Sequence, residues 1–351
     1  MITISILVSN ENNRKREFWI DNTKNFACIL VVLGHFFQSM VQSEILPLND
    51  LYQWFIRTIY YFHVPLFFIC SGYLYQKLSV VNTFNSWYKN VLKKLISLGI
   101  PFVTFSFITW ILKTLFSSSV NNEIGKLYEI ILFKPTAPYW YLYALFFIFL
   151  VTPTFSSKFK AYIALFIALT LKLIFIVTQG FSVSIISYIF NDEIWFILGM
   201  LICIFDIPKI IENNNSNLFL GIVLSIIFII LSVLVFIKNI NFGILNFLLG
   251  IIGCLSTTLI MIIMLKSQRF KNHKNIWNVL ARYTMPIFLM HTIFAAPLRI
   301  LLVKIGIMNI FIHTILGILI SFIGPIIVAK FIRKFKYLDM LMYPTKYIKI
   351  K

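Results

Sequence analysis

The sequence predicts an all-α polytopic integral membrane protein of about ten transmembrane helices, with both termini cytoplasmic. Three observations carry this. Of the 351 residues, 60% are apolar and only 12% are charged, whereas a soluble domain carries about 25% charged residues. Mean hydropathy is +0.88, more apolar surface than a water-soluble fold can hide. The basic residues, 31 Lys and Arg against 12 Asp and Glu, fall between the apolar runs. Gathered on one soluble patch they would suggest nucleic acid. Scattered between spans they exclude it, and point to topology and to contact with lipids of the cytoplasmic leaflet.

Runs of about 20 apolar residues, separated by breakers, give expected spans near 19–40, 52–76, 95–117, 139–154, 160–178, 190–206, 217–237, 243–265, 280–303 and 308–332. The fourth and sixth are short, and the sixth opens with Asn191, Asp192 and Glu193. Charge placement tests these spans independently, because short cytoplasmic loops collect Lys and Arg. With the N-terminus inside, inside segments hold Arg14, Lys15 and Arg16; Lys77, Lys89, Lys93 and Lys94; Lys158 and Lys160; Lys209; Lys266, Arg269, Lys271 and Lys274; and the basic run from Lys330 to Lys351. Outside loops and outer span ends carry Arg57, Lys113, Lys126, Lys134, Lys238, Arg299 and Lys304. An even number of spans follows; ten satisfies it, as do eight or twelve.

The expected organisation is a cytoplasmic N-terminal segment 1–18, a transmembrane domain 19–333 and a basic cytoplasmic tail 334–351. The Asn213–Asn217 patch reads as an inside loop. No internal repeat divides the domain, although many transporters are built from inverted halves. Cys28, Cys70, Cys203 and Cys254 lie inside apolar runs without CxxC pairing, so neither a disulfide framework nor a metal knuckle is expected. Ile2–Val8 precedes its basic residues and has no small-residue cleavage site after it, so the first long helix is expected to act as an uncleaved anchor.

Ionisable groups are costly at membrane depth, so each one inside a span is a functional candidate unless it snorkels to an interface. The first span holds Asp21, Lys24 and His35. Lys24 and His35 are 11 residues apart, which is three helical turns plus about 20°, and Asp21 lies on the same stripe. One helix face therefore runs from a charged pair near the cytoplasm to an imidazole about 16 Å deeper. The plainer reading is an interfacial ion pair and a packed histidine. His63 and His291 weigh against it, since each enters its span by about 16 Å and three imidazoles at similar depth suit acid–base chemistry near pH 7. A metal held by these histidines is the weaker alternative, because no carboxylate or thiolate joins them.

The stretch Trp19–His35, WIDNTKNFACILVVLGH, resembles the first helix of the membrane acyltransferase family 3, whose signature is Arg or Lys, ten residues, then His. His63–Tyr73, HVPLFFICSGY, is similar to the second-helix segment ending in Ser-Gly-aromatic, here Ser71, Gly72 and Tyr73. Pro138–Phe146, PYWYLYALF, resembles the family's Trp-Phe-Leu segment, and Arg282–His291, RYTMPIFLMH, its late helix ending in His. The four segments fall in the family's order across about residues 19–300. The similarity is greatest to stand-alone members related to fucose 4-O-acetylase and to capsule and exopolysaccharide O-acetyltransferases. One departure stands out. Where the family has Arg-x-x-Arg before Ile-Pro-aromatic, this chain has Lys94 and Ser97 before Ile100, Pro101 and Phe102, with Lys89 and Lys93 nearby; lysine is a point charge where arginine is a bidentate fork.

The resemblance implies about ten helices, a cytoplasmic acyl-CoA donor with acetyl-CoA as the default, no metal, and O-acylation of a carbohydrate acceptor, lipid-linked or exported, at a bacterial cytoplasmic membrane. Some relatives append an esterase-like domain after the membrane region; here transfer is expected to be completed within the membrane domain or by a separate protein. The expected roles are His35 as base or acyl carrier, Lys24 and Asp21 orienting the donor or stabilising charge, and His63 and His291 as relay or acceptor contacts. Ser71 belongs to the second matched segment. Lys89, Lys93, Lys94 and Arg282 are candidates for the CoA phosphates, topology being the competing explanation for the lysines. Trp140 offers a stacking face for a sugar, against an interfacial aromatic belt; Glu193 borders an acceptor cavity or caps a short helix. Competing functions are a transporter or flippase of lipid-linked glycans, whose intramembrane charges line a pathway, and a membrane glycan polymerase.

Overall fold

The computed structural model describes residues 17–117, 124–212, 216–264, 276–348 and 350. Most of the expected N-terminal segment, with Arg14, Lys15 and Arg16, lies outside the described residues, as do Lys266, Arg269, Lys271 and Lys274, residues 213–215 of the Asn patch, and the tail's Lys349 and Lys351. Of the described residues 82% are helical and none is in a strand, so the all-helical expectation holds.

In chain order the helices are α1 (Phe18–Gln42), α2 (Asp50–Tyr60), α3 (His63–Leu78), α4 (Phe84–Lys94), a π-helical turn (Leu95–Gly99), α5 (Ile100–Leu115), α6 (Leu127–Leu132), α7 (Trp140–Val151), α8 (Lys158–Thr178), α9 (Ser184–Ile204), α10 (Ile207–Glu212), α11 (Ser216–Ile237), α12 (Gly243–Met264), α13 (Ile276–Arg282), α14 (Thr284–Lys304), α15 (Ile310–Ile332) and α16 (Lys336–Met342). Among the described residues, eight stretches are long and apolar enough to cross a membrane: α1, the continuous helix Phe84–Leu115, α8, α9, α11, α12, α14 and α15.

The other two expected spans take different forms. The second is divided at Tyr61 and Phe62 into α2 and α3. The fourth is the 12-residue α7. Two boundaries also move. The third stretch starts at Phe84, where Thr83 and Ser86 form a capping box, Ser86 N–H donating to Thr83 Oγ1 at 3.2 Å and Thr83 N–H to Ser86 Oγ at 3.0 Å. The π turn lies just before Pro101, which lacks the N–H that would reach the Ser97 carbonyl. The sixth span opens at Ser184 and not near 190, so Asn191, Asp192 and Glu193 lie inside α9.

Packing divides the chain into two compact units, one built from Phe18–Ser79 and Thr154–Thr284, the other containing Val80–Pro153 and Met285–Lys351. In the first unit, α3 and α9 meet at backbone distance. A Cβ added at Gly72 would fall 1.9 Å from the Phe196 carbonyl oxygen, and one at Gly199 would fall 1.9 Å from that of Ile69. Close approach through small residues is how membrane helices gain packing without a hydrophobic driving force. Gly250 of α12 faces the Tyr61 carbonyl in the same way, at 2.7 Å from an added Cβ. Trp19 and Tyr73 pack edge-on at 4.9 Å, within a core that includes Ile20, Cys70, Leu259 and Ile262.

In the second unit, Trp87 Nε1 donates to the Leu150 carbonyl at 2.8 Å and fastens α4 to α7. Gly324 of α15 lies against the Phe294 ring of α14. Past the last membrane-length helix, Asp339 of α16 accepts from Lys346 Nζ at 2.8 Å and from Tyr347 OH at 2.6 Å. The bond to Asp339 raises Lys346 above its ordinary lysine pKa.

Candidate active site

α1 is helical despite its polar first turns because those side chains bond back to their own helix. Asn22 Nδ2 donates to the Phe18 carbonyl and Thr23 Oγ1 to that of Trp19, each at 2.7 Å. Asn22, Thr23 and Asn25 are buried, while Asp21, Lys24 and His35 are half-buried. The 3.6-residue repeat leaves those three on the stripe anticipated from their spacing. α3 packs along α1, with Cys70 Sγ 3.9 Å from the Ile20 carbonyl and within electrostatic reach of both Lys24 and Asp21.

His63 is the first residue of α3 and is 3% exposed. Its Nδ1 lies 2.6 Å from the Ile59 carbonyl oxygen. A carbonyl only accepts, so the Nδ1 carries the proton and the Nε2 lone pair remains for chemistry. His35 lies within electrostatic reach of His63, and both belong to the first unit. The break between α2 and α3 produces this arrangement, since it lets the last turn of α2 both anchor the imidazole and cover it with the Tyr60 ring, edge-on at 4.8 Å. Ser71 is buried beside Gly72 at the α3–α9 seam. The Ser-Gly pair thus has a packing role that its residues alone do not reveal.

Glu193 lies within α9, which removes the helix-capping alternative. Its neighbours form a buried polar connection between α8 and α9. Lys172 Nζ donates to Asn191 Oδ1 at 2.6 Å and to the Asn191 carbonyl at 3.2 Å. Asn191 Nδ2 donates to Asp192 Oδ1 at 2.8 Å. Lys172 also sits over the rings of Phe175 and Phe247, 5.6 and 5.4 Å from their centroids. Lys172 was not anticipated; a single lysine in a long apolar run is indistinguishable in sequence from one that snorkels. Arg282, the last residue of α13, is exposed and donates through Nε to the Asn278 carbonyl at 3.3 Å.

The second unit holds the remaining expected residues. His291 is 1% exposed, and its Nδ1 lies 3.0 Å from the carbonyl oxygens of both Ile287 and Phe288, so it too is protonated at Nδ1. Trp140 is half-buried at the start of α7. Its neighbour Tyr139 is fully buried and shares a hydrogen bond with Thr109 Oγ1 at 2.8 Å and donates to the Leu289 carbonyl at 2.9 Å. Tyr139 thus fixes α7 to the helix that carries His291. Among the lysines, Lys89 and Lys93 are exposed, whereas Lys94 places its ammonium 3.6 Å from the Phe149 ring centroid.

The first unit therefore combines an imidazole pair with a lysine and an aspartate on one helix stripe, a grouping that can take a proton and stabilise developing negative charge. A family model described as an acyltransferase domain, acyltransferase 3, matches residues 17–330. No curated protein and no solved structure matches the chain.

Proposed function

We propose, from the premise that this chain belongs to the acyltransferase 3 family and is a multi-pass membrane acyltransferase, that it transfers acetyl from cytoplasmic acetyl-CoA to a carbohydrate hydroxyl. The acceptor is a cell-surface or lipid-linked polysaccharide, and the enzyme sits in a bacterial cytoplasmic membrane between donor and acceptor.

The observation that carries this is the Ile59–His63 arrangement: one imidazole held by a carbonyl in a defined tautomer, within electrostatic reach of a second, His35, on the Lys24 stripe. His35 takes the acceptor hydroxyl proton as that oxygen attacks the thioester carbonyl. The oxyanion collapses, the C–S bond breaks, and the proton passes to the departing CoA thiolate, leaving an ester and free CoA. In the acyl-carrier variant, His35 attacks the thioester carbonyl first, the C–S bond breaks and CoA leaves, and the hydroxyl then displaces the acetyl group, its proton passing to the freed imidazole. His63 relays the proton, and Lys24 with Asp21 offsets the developing charge. Lys89, Lys93 and Arg282 attract the donor phosphates, with Lys94 engaged by Phe149. Trp140, Glu193 and His291 contact the acceptor.

Mass spectrometry of surface glycans from cells with and without the protein tests this. Loss of acetyl esters from an otherwise unchanged glycan supports the proposal. A change in glycan amount without a change in esters indicates a transporter or flippase, and a change in chain length indicates a polymerase.

A further inference from the structure

The break between α2 and α3 presents three consecutive aromatics, of which two are committed to packing. The Tyr61 carbonyl lies against Gly250. Phe62 packs on Phe228 at 5.2 Å and against Gly253. Tyr60 is different. It is 44% exposed, yet its ring packs against His63 in a T-shaped contact, centroids 4.8 Å apart, and its Cε2 is 3.7 Å from where a Cβ on Gly34 of α1 would lie.

A tyrosine that only faces lipid or joins an interfacial belt has no need to touch a buried imidazole. A ring that touches His63 and is also partly exposed is a rigid surface with an apolar body and a polar tip. That chemistry suits the C–H face of a pyranose better than an acyl chain, which asks for no hydroxyl.

We propose, resting on the acyltransferase reading above, that Tyr60 is an acceptor-positioning residue. The sugar that receives the acyl group packs on its exposed side and so brings a hydroxyl toward His63 and His35.

The test uses the full-length protein in detergent, with surface polysaccharide from the producing cell, stripped of esters by mild alkali, as the probe. Tyr60→Ala is expected to raise the acceptor KM about tenfold or more, by a larger factor than it lowers kcat. It is also expected to weaken calorimetric binding of the polysaccharide without donor by a similar factor. Tyr60→Phe and Tyr60→Trp, which keep a ring, restore most of both. Tyr162→Ala removes another exposed ring, on α8, and is the control for loss of a belt aromatic. An unchanged acceptor KM and unchanged binding in Tyr60→Ala, or equal effects in Tyr162→Ala, overturn the proposal. Tyr60-dependent binding in a protein that never turns over acetyl-CoA would leave this subsite standing and sink the acyltransferase mechanism alone.

Discussion

His63 donates its Nδ1 proton to the carbonyl of Ile59, four residues earlier and across a helix break. The bond leaves Nε2 as the only nitrogen of that ring able to accept a proton. His63→Asn retains an N–H near the δ position and is expected to keep the contact with Ile59, while removing Nε2. Acyl transfer should therefore fall by about 10²-fold or more in His63→Asn and His63→Ala, with His63→Asn melting closer to the wild type. Initial rates and thermal unfolding in detergent check this. A His63→Asn enzyme with near-normal turnover would remove His63 from the proton path.

Gly72 and Gly199 are reciprocal contacts. Alanine at either position puts a methyl group 1.9 Å from a backbone carbonyl oxygen of the facing helix, and a carbonyl within a helix cannot rotate aside. Separation of α3 from α9 is expected, with a loss of at least about 1–3 kcal/mol and a sharp fall in folded yield. Gly99→Ala is the comparison, since its nearest neighbour, the Leu95 side chain, lies at 3.4 Å. Detergent size-exclusion profiles of the three variants should separate them; equal profiles would contradict the interlock.

Lys172 and Asp192 offset each other's charge through Asn191 inside the apolar interior. Removing one partner leaves the other buried and unbalanced, at about 3–5 kcal/mol, whereas replacing both with apolar residues of similar size is nearly neutral. Lys172→Met alone should lower the melting temperature markedly, and Lys172→Met with Asp192→Leu should recover most of it. A double variant no better than the single one would show that the two charges act separately.

The long apolar runs made α1, α8, α11, α12 and α15 legible to within a few residues, because lipid demands backbone satisfaction within the segment itself. The division of α2 from α3 was not legible. Tyr60, Tyr61 and Phe62 are as apolar as their flanks, and the one local signal is Pro65, which lacks the N–H that would reach the Tyr61 carbonyl and which the apolar run masked. The start of α9 was misplaced because Asn191 and Asp192 read as a helix opening; their partner, Lys172, is contributed by another helix. On the site, spacing alone put Asp21, Lys24 and His35 on one stripe. The tautomer of His63 and the part played by Tyr139 depend on contacts across a helix break and across 150 residues of chain, and no periodicity carries that information.

The proposed role of His35 is to act on the thioester reaction as base or acyl carrier. The direct measurement is release of CoA and transfer of label from acetyl-CoA by purified protein, comparing wild type with His35→Ala and using thermal unfolding to confirm that the variant is folded. Label reaching the polysaccharide from the wild type, with a loss of about 10²–10⁴-fold in a folded His35→Ala variant, is the expected result. Equal transfer by the two proteins would contradict it.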